Sequence, residues 1–293
     1  MRLLAISDLH VGHRENRAAL ERLPEHADDW LIVAGDVGER PDHLVTALEV
    51  LTPRFAQVIW TPGNHDLWCP PDADRTRGQA RYEELVAICR DYRVATPEDA
   101  YRAWPDQPST VIVPMFLLYD YSFRPDDVPG AGARAWAREA GVLSADERLL
   151  SPAPWPSVPD WCHARCDATL ARLAALPVDA HTILVNHWPL RYDLAVPPRI
   201  PRFSIWCGTS RTEDWARRYR ARAVVSGHLH LRTTLWREGV RFEEVSLGYP
   251  RDWRRDRGIA AYLREVLPGP AADRHAPTRD PFLRARPPVA RID

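Results

Sequence analysis

Short, almost unbroken apolar runs recur along the chain: RLLAIS at 2–7, WLIVA at 30–34, AQVIW at 56–60, TVIV at 110–113 and HTILV at 181–185. A strand wetted on one face alternates apolar and polar residues, so runs without alternation predict strands covered on both faces. Residues 14–23, 41–52 and 79–91 instead space apolar residues by three and four, the period of amphipathic helices. Strand, loop and helix in repeated succession predict βαβ units and an α/β fold class. The runs at 222–226, 233–237 and 240–247 leave no room for intervening helices and predict an antiparallel second half.

Pro, Gly and charged residues crowd the stretch from about 120 to 160, which predicts a surface insertion or lid with a short helix near 133–148. From Pro268 the chain is rich in Pro and Arg and lacks an apolar period, so 1–267 reads as one domain and 268–293 as a loosely attached tail. All 39 basic residues are arginine, set against 40 acids. The missing lysine reflects a GC-rich coding sequence, and the even balance gives no reason to expect nucleic acid or an anionic membrane as partner. No run reaches the ~20 apolar residues of a membrane helix, and no leader pattern follows Met1. The five cysteines form no CxxC pair, which fits reduced thiols and a cytoplasmic location. Cys162 and Cys166 flank His163, but the four-ligand spacing of a zinc site is missing and packing explains them better.

The chemistry lies where the strands end. Asp8 and His10 follow the first run, Asp36 the second, Asn64 and His65 the third, His187 the run at 181–185, and His228 and His230 the run at 222–226. In an open α/β sheet the loops at the carboxyl ends of the strands converge on one crevice, so these metal-ligand side chains are expected to meet. Gly35, Gly63 and Gly227 each precede one of them, where a turn or close backbone approach is needed. Carboxylate, amide oxygen and imidazole without thiolate suit Mn, Fe, Zn or Co better than Ca, and Mg less well. One cation needs about four protein ligands, whereas this set offers at least seven. Two divalent cations ~3.5–4 Å apart would use them all, the arrangement of two-metal phosphoester hydrolysis.

In order and spacing, DxH (Asp8, His10), GD (Gly35, Asp36), GNHD (Gly63 to Asp66), NH (Asn186, His187) and GHLH (Gly227 to His230) resemble the signature of the calcineurin-like metallophosphoesterases. The resemblance implies a two-sheet αββα sandwich. It also implies that Asp8, His10 and His230 bind a first metal, that Asp36 bridges, and that Asn64, His187 and His228 complete a second, with Mn and Fe foremost. His65 would stabilise the transition state or protonate the leaving group, held by Asp66 behind it. An imidazole oriented by a carboxylate is suited to that task.

Stretches outside the metal signature, among them PMFLLYDYSF, FSIWCGTSRTEDW and VRFEEVSLGYPRDW, are similar to the actinobacterial 4′-phosphopantetheinyl hydrolases. That resemblance implies hydrolysis of 4′-phosphopantetheine from a holo acyl or peptidyl carrier protein. The alternatives are an esterase of nucleotides or other small phosphate esters, and a metal-binding scaffold without activity. Substrate contacts are expected first from Arg191 and Trp188, just past His187, where an arginine can pair with substrate phosphate or with a partner carboxylate. His13 and His163 are further candidates, each weighed against a plain solvated histidine. Residues 211–255 hold eleven arginines against six acids, an excess that an acidic carrier protein could meet.

Overall fold

The computed structural model describes residues 1–70 and 76–270. Its first half runs β1 (Leu3–Ile6), α1 (Arg14–Glu21), β2 (His26–Ala34), α2 (Pro41–Leu51), β3 (Phe55–Thr61), α3 (Asn64–Leu67), α4 (Gly78–Asp91), β4 (Arg102–Trp104) and β5 (Gln107–Pro114). There follow α5 (Ala133–Glu139), α6 (Asp146–Leu149), α7 (Val158–Ala174), β6 (His181–Val185), α8 (Trp215–Arg218), β7 (Ala221–Ser226), β8 (Thr234–Arg237), β9 (Val240–Glu244) and β10 (Arg264–Leu267). The strands form two sheets, ordered β10-β1-β2-β3 and β4-β5-β6-β7-β9-β8.

The unbroken apolar runs are explained by burial on both faces. Leu3 and Ala5, Ile32 and Ala34, and Ile59 face Ile183, Val185, Ala223 and Val225 of the other sheet in one core cluster. Their neighbours in sequence, Leu4, Ile6, Leu31, Val33, Val58 and Trp60, point the opposite way and join the core beneath the helices. α2 buries Leu44, Ala47, Leu48 and Leu51, the spacing of one helix face. α7 buries Trp161, Cys162, Cys166 and Leu173, so the two cysteines serve packing, and the side chain of Ser157 caps its start.

The second half is mainly parallel, not antiparallel. β5 pairs with β6, β6 with β7 and β7 with β9 in parallel. Within the six-stranded sheet, antiparallel pairing is confined to the β8–β9 hairpin at one edge and the β4–β5 pair at the other. Nearness in sequence suggested direct pairing of β7 with the next strand. The chain instead passes over one position, places β8 at the edge and returns as β9, which leaves residues 227–233 as a loop above the sheet.

The stretch from 120 to 160 carries α5 and α6, two short helices where one was expected. It lies against the body through buried Phe123, Ala133, Ala137 and Leu150. Of the Pro- and Arg-rich tail, residues from 271 onward lie outside the described residues. Among the described residues no helix is long and apolar enough to cross a membrane.

Candidate metal centre

Because β1, β2 and β3 run parallel, as do β6 and β7, the loops after all five open at the same end of the molecule. They bring together Asp8, His10, Asp36, Asn64, His65, His187, His228 and His230, the set expected from sequence. The backbone here is unusual. Asp8, His10, Asp36, His228 and His230 all adopt left-handed φ, at 54°, 43°, 54°, 75° and 53°. Such conformations cost non-glycine residues of order 1 kcal/mol each and concentrate at functional sites. Two glycines make the close approach feasible: a Cβ at Gly63 would collide with the Asp36 carboxylate, and one at Gly227 with that of Asp8.

One cluster forms around Asp8. Its Oδ1 lies 3.0 Å from His230 Nε2 and 3.9 Å from His10 Nε2, and the two imidazole nitrogens are 3.4 Å apart. Its Oδ2 accepts from Ser7 Oγ at 2.6 Å, Ser246 Oγ at 2.7 Å and the His228 amide at 3.1 Å, which fixes the carboxylate. His230 Nδ1 faces Asp252 Oδ2 at 3.0 Å. With its proton on Nδ1, the Nε2 lone pair points at Asp8 and His10, the orientation of a metal-ligating histidine.

The second cluster forms around Asp36 and Asn64. Asp36 Oδ2 is 3.4 Å from His187 Nε2 and 3.9 Å from His65 Nε2, while Oδ1 accepts from the His65 amide at 2.8 Å. Asn64 Oδ1 lies 3.2 Å from His187 Nε2 and 3.1 Å from His228 Nδ1. His187 Nδ1 donates to the Ala34 carbonyl at 2.8 Å, freeing Nε2 for the centre. Asp8, His10 and His230 can therefore hold one cation, and Asp8, Asp36 and His187 converge closely enough for another. The oxygen and nitrogen donors, the ring protons turned outward and the crowded lone pairs fit divalent metal ions.

Charge balance points the same way. Burial opposes charge on His187, yet the Asp36 and Asp8 carboxylates carry its pKa up to about 10. Burial is likewise outweighed at His230 by Asp8 and Asp252, and its pKa rises to about 9. Burial dominates at His10, lowered to about 4, and at His228, lowered to about 3 with help from the His187 charge. Protons on His187 and His230 thus offset buried carboxylates in positions where cations would do the same.

His65 is not held by Asp66. The Asp66 carboxylate accepts backbone N–H groups of Asp36 (2.9 Å), Val37 (3.0 Å), Gly38 (3.3 Å) and Gly63 (2.9 Å), so it clamps two site loops together. Glu39 Oε1 lies 3.3 Å from His65 Nδ1 in its place, and the Trp68 ring packs against the imidazole at a tilt of 31°, centroids 3.6 Å apart. Sequence reasoning missed Glu39, Asp146, Tyr249 and Asp252. Asp146 Oδ1 accepts from Asn64 Nδ2 at 2.9 Å and from Trp68 Nε1 at 2.7 Å. Tyr249 stacks on His10 at 4.5 Å.

A cavity of about 710 Å³ opens over the centre, lined by His65, Trp68, Phe203, His228, His230 and Tyr249 among others. The expected substrate contacts fall elsewhere. Trp188 is fully buried with its ring edge-to-face on His187 at 5.1 Å, a packing role. Arg191 is bound to Asp193 at 2.9 Å and Glu238 at 3.2 Å, outside the cavity. His163 pairs with Asp120 at 2.9 Å, also outside it. His13 is exposed beside Tyr249, with the rings 5.6 Å apart.

The family model for calcineurin-like phosphoesterases matches residues 1–232. A protein of Mycobacterium tuberculosis described as an acyl-carrier-protein phosphodiesterase, PptH, is 51% identical over 276 residues, covering 92% of this chain and 84% of that protein. The crystal structure of a phosphopantetheinyl hydrolase from the same organism superposes with a TM-score of 0.87 at 50% identity, covering 92% of this chain and 96% of that one.

Proposed function

The chain belongs to the calcineurin-like phosphoesterase family, and from that premise we propose that it hydrolyses the phosphodiester between 4′-phosphopantetheine and the serine of a holo acyl or peptidyl carrier protein. The products are apo carrier protein and 4′-phosphopantetheine. The observation that carries this reading is the 51% identity, sustained over 92% of the chain, to a protein described by that activity.

The family's cofactors are divalent metal ions. On this reading Asp8, His10 and His230 would hold one, Asn64, His187 and His228 another, and Asp36 would serve both, with Mn or Fe the best match to the donors. When bound, the cations supply an activated water and neutralise charge on the phosphate oxygens. The chain's own residues do the rest. Ser7 and Ser246 fix the Asp8 carboxylate, Asp146 turns the Asn64 oxygen inward, and Asp66 sets the spacing of the loops carrying Asp36 and Asn64. Burial opposes a proton on His65, but Asp36 and Glu39 raise its pKa, so its ring can carry one to the leaving serine oxygen. The catalytic domain then spans 1–267, and the segment at 120–160 forms one wall of the cavity through Leu143, Ser144 and Ala145.

The test is to incubate the metal-loaded enzyme with holo carrier protein and weigh the product by mass spectrometry. Loss of the phosphopantetheinyl mass is the expected result. An unchanged carrier beside rapid turnover of a small phosphodiester would favour small phosphate esters instead.

A further inference from the structure

Large apolar side chains on a protein surface are individually unremarkable, but their position here is not random. Among the described residues four are exposed: Met1, Leu143, Val178 and Ile200. Two of them, Leu143 at 68% and Ile200 at 46% exposure, line the cavity that also takes in Asp36, Asn64, His228 and His230. They come from unrelated parts of the chain, one following α5 and the other in the loop before Phe203. Pro197 and Pro198 stiffen that loop and hold Ile200 out at little entropic cost.

The charges at the same mouth are unbalanced. Arg199 is exposed and has no ion-pair or hydrogen-bond partner among the described residues. The Arg251 side chain is 82% exposed, with its guanidinium over Tyr249 and its nearest acid, Asp252, at 3.7 Å. Asp252 is already committed to His230 and to the Tyr249 amide, and Asp36, the other acid of the lining, to His187 and the His65 amide. Two guanidinium groups therefore face solvent beside two apolar side chains, with no free acid among them.

Resting on the proposed carrier-protein substrate, we propose that this mouth is the surface on which that protein docks. Leu143 and Ile200 close over an apolar patch beside the modified serine, and Arg199 and Arg251 meet acidic side chains around it. The cavity volume lies within the ~300–1,000 Å³ of small-ligand sites, and its inner wall of Phe203 and Leu229 suits a flexible prosthetic arm. The exposed pair stands at the rim, where only a covering surface removes it from water. A second copy of the chain fits less well, because symmetric pairing would set arginine against arginine.

The experiment compares full-length, metal-loaded wild type with Arg199→Glu and Leu143→Asp/Ile200→Asp, on holo carrier protein and on bis(p-nitrophenyl) phosphate. The ratio of kcat/KM for the carrier to that for the small diester is expected to fall about tenfold or more, mainly through KM. Apo carrier protein should inhibit the wild type competitively and the variants more weakly. Raising NaCl from about 50 to about 500 mM should raise the carrier KM of the wild type more than that of Arg199→Glu. Wild type that cleaves the carrier while both variants keep the ratio overturns the docking surface and leaves the proposed function standing. Wild type that ignores the carrier overturns the proposed function itself. A dimer of the wild type in gel filtration, lost in Leu143→Asp/Ile200→Asp, assigns the surface to a second copy and also overturns the inference.

Discussion

Asp146 accepts a hydrogen bond from Asn64 Nδ2 at 2.9 Å, and by taking the amide nitrogen it leaves the amide oxygen aimed at His187 and His228. An asparagine amide presents an acceptor on one side and donors on the other, so a carboxylate behind it decides which side faces a cation. Asp146→Ala should cost about 10- to 100-fold in affinity for a second equivalent of Mn(II). Isothermal titration would register this, and the first equivalent should be nearly unaffected. Equal weakening of both equivalents would mean that Asp146 supports the centre only through general packing.

Asp66 should behave as a structural brace. Removing it in Asp66→Ala strands four buried N–H groups, each worth about 1–3 kcal/mol when left unsatisfied. With partial relaxation, a loss of about 4 kcal/mol in urea unfolding is expected, a large share of a net stability of ~5–15 kcal/mol. Asp66→Asn should lose roughly half as much, since one oxygen remains to accept. Full stability with abolished turnover would instead give Asp66 a direct part in the chemistry.

His65 and Glu39 should separate by magnitude. His65→Ala is expected to lower kcat by about 10²- to 10⁴-fold, as loss of a general acid does, while the metal content measured by mass spectrometry stays at the wild-type value. Glu39→Gln keeps a hydrogen bond to the ring but removes the charge that raises its pKa, so it should lower kcat by about 10-fold and shift the alkaline limb of the pH–rate profile to lower pH. An unchanged alkaline limb would deny His65 the role of proton donor.

Cation binding should release protons. His187 and His230, with pKa values raised to about 10 and about 9, carry protons near neutrality that a cation must displace. Apparent affinity should therefore increase as pH rises from 6 to 8, with the gain lessening above about 9 and ending above about 10. Calorimetry in buffers of different ionisation enthalpy would count the protons released. Affinity independent of pH over that range would contradict the assignment. Chelation should abolish turnover and lower the Tm, because a ligand at ~100 times its Kd contributes about 2.7 kcal/mol to stability.

The sequence was most readable where local pattern and chemistry coincide. Strand ends followed by Asp8, Asp36 or His187 were legible because parallel strands put such loops on one side, whatever the details of packing. Gly63 and Gly227 were legible as sites of close approach. Glu39, Asp146, Tyr249 and Asp252 were not, since each is an ordinary polar residue whose partner is set only by the tertiary fold; Asp146 lies 82 positions from Asn64. Arg191 was legible only as a choice between phosphate and a carboxylate partner, for a related reason. Nearness to His187 in sequence placed it at the site, but the chain turns away, and Asp193 and Glu238 claim its guanidinium. The pairing of β7 with β9 was hidden because the sequence does not reveal that β8 takes the sheet edge.

The left-handed backbone at Asp8, His10, Asp36, His228 and His230 sets the fold and its use against each other. Glycine would relieve about 1 kcal/mol of strain at each, but at Asp8 and Asp36 it would also strand the buried hydroxyl and amide donors that their carboxylates accept, so selection for stability alone would release only the three histidines. A lineage that lost its substrate should therefore shed the histidines first and keep the two aspartates, whose hydrogen bonds also serve the sandwich beneath.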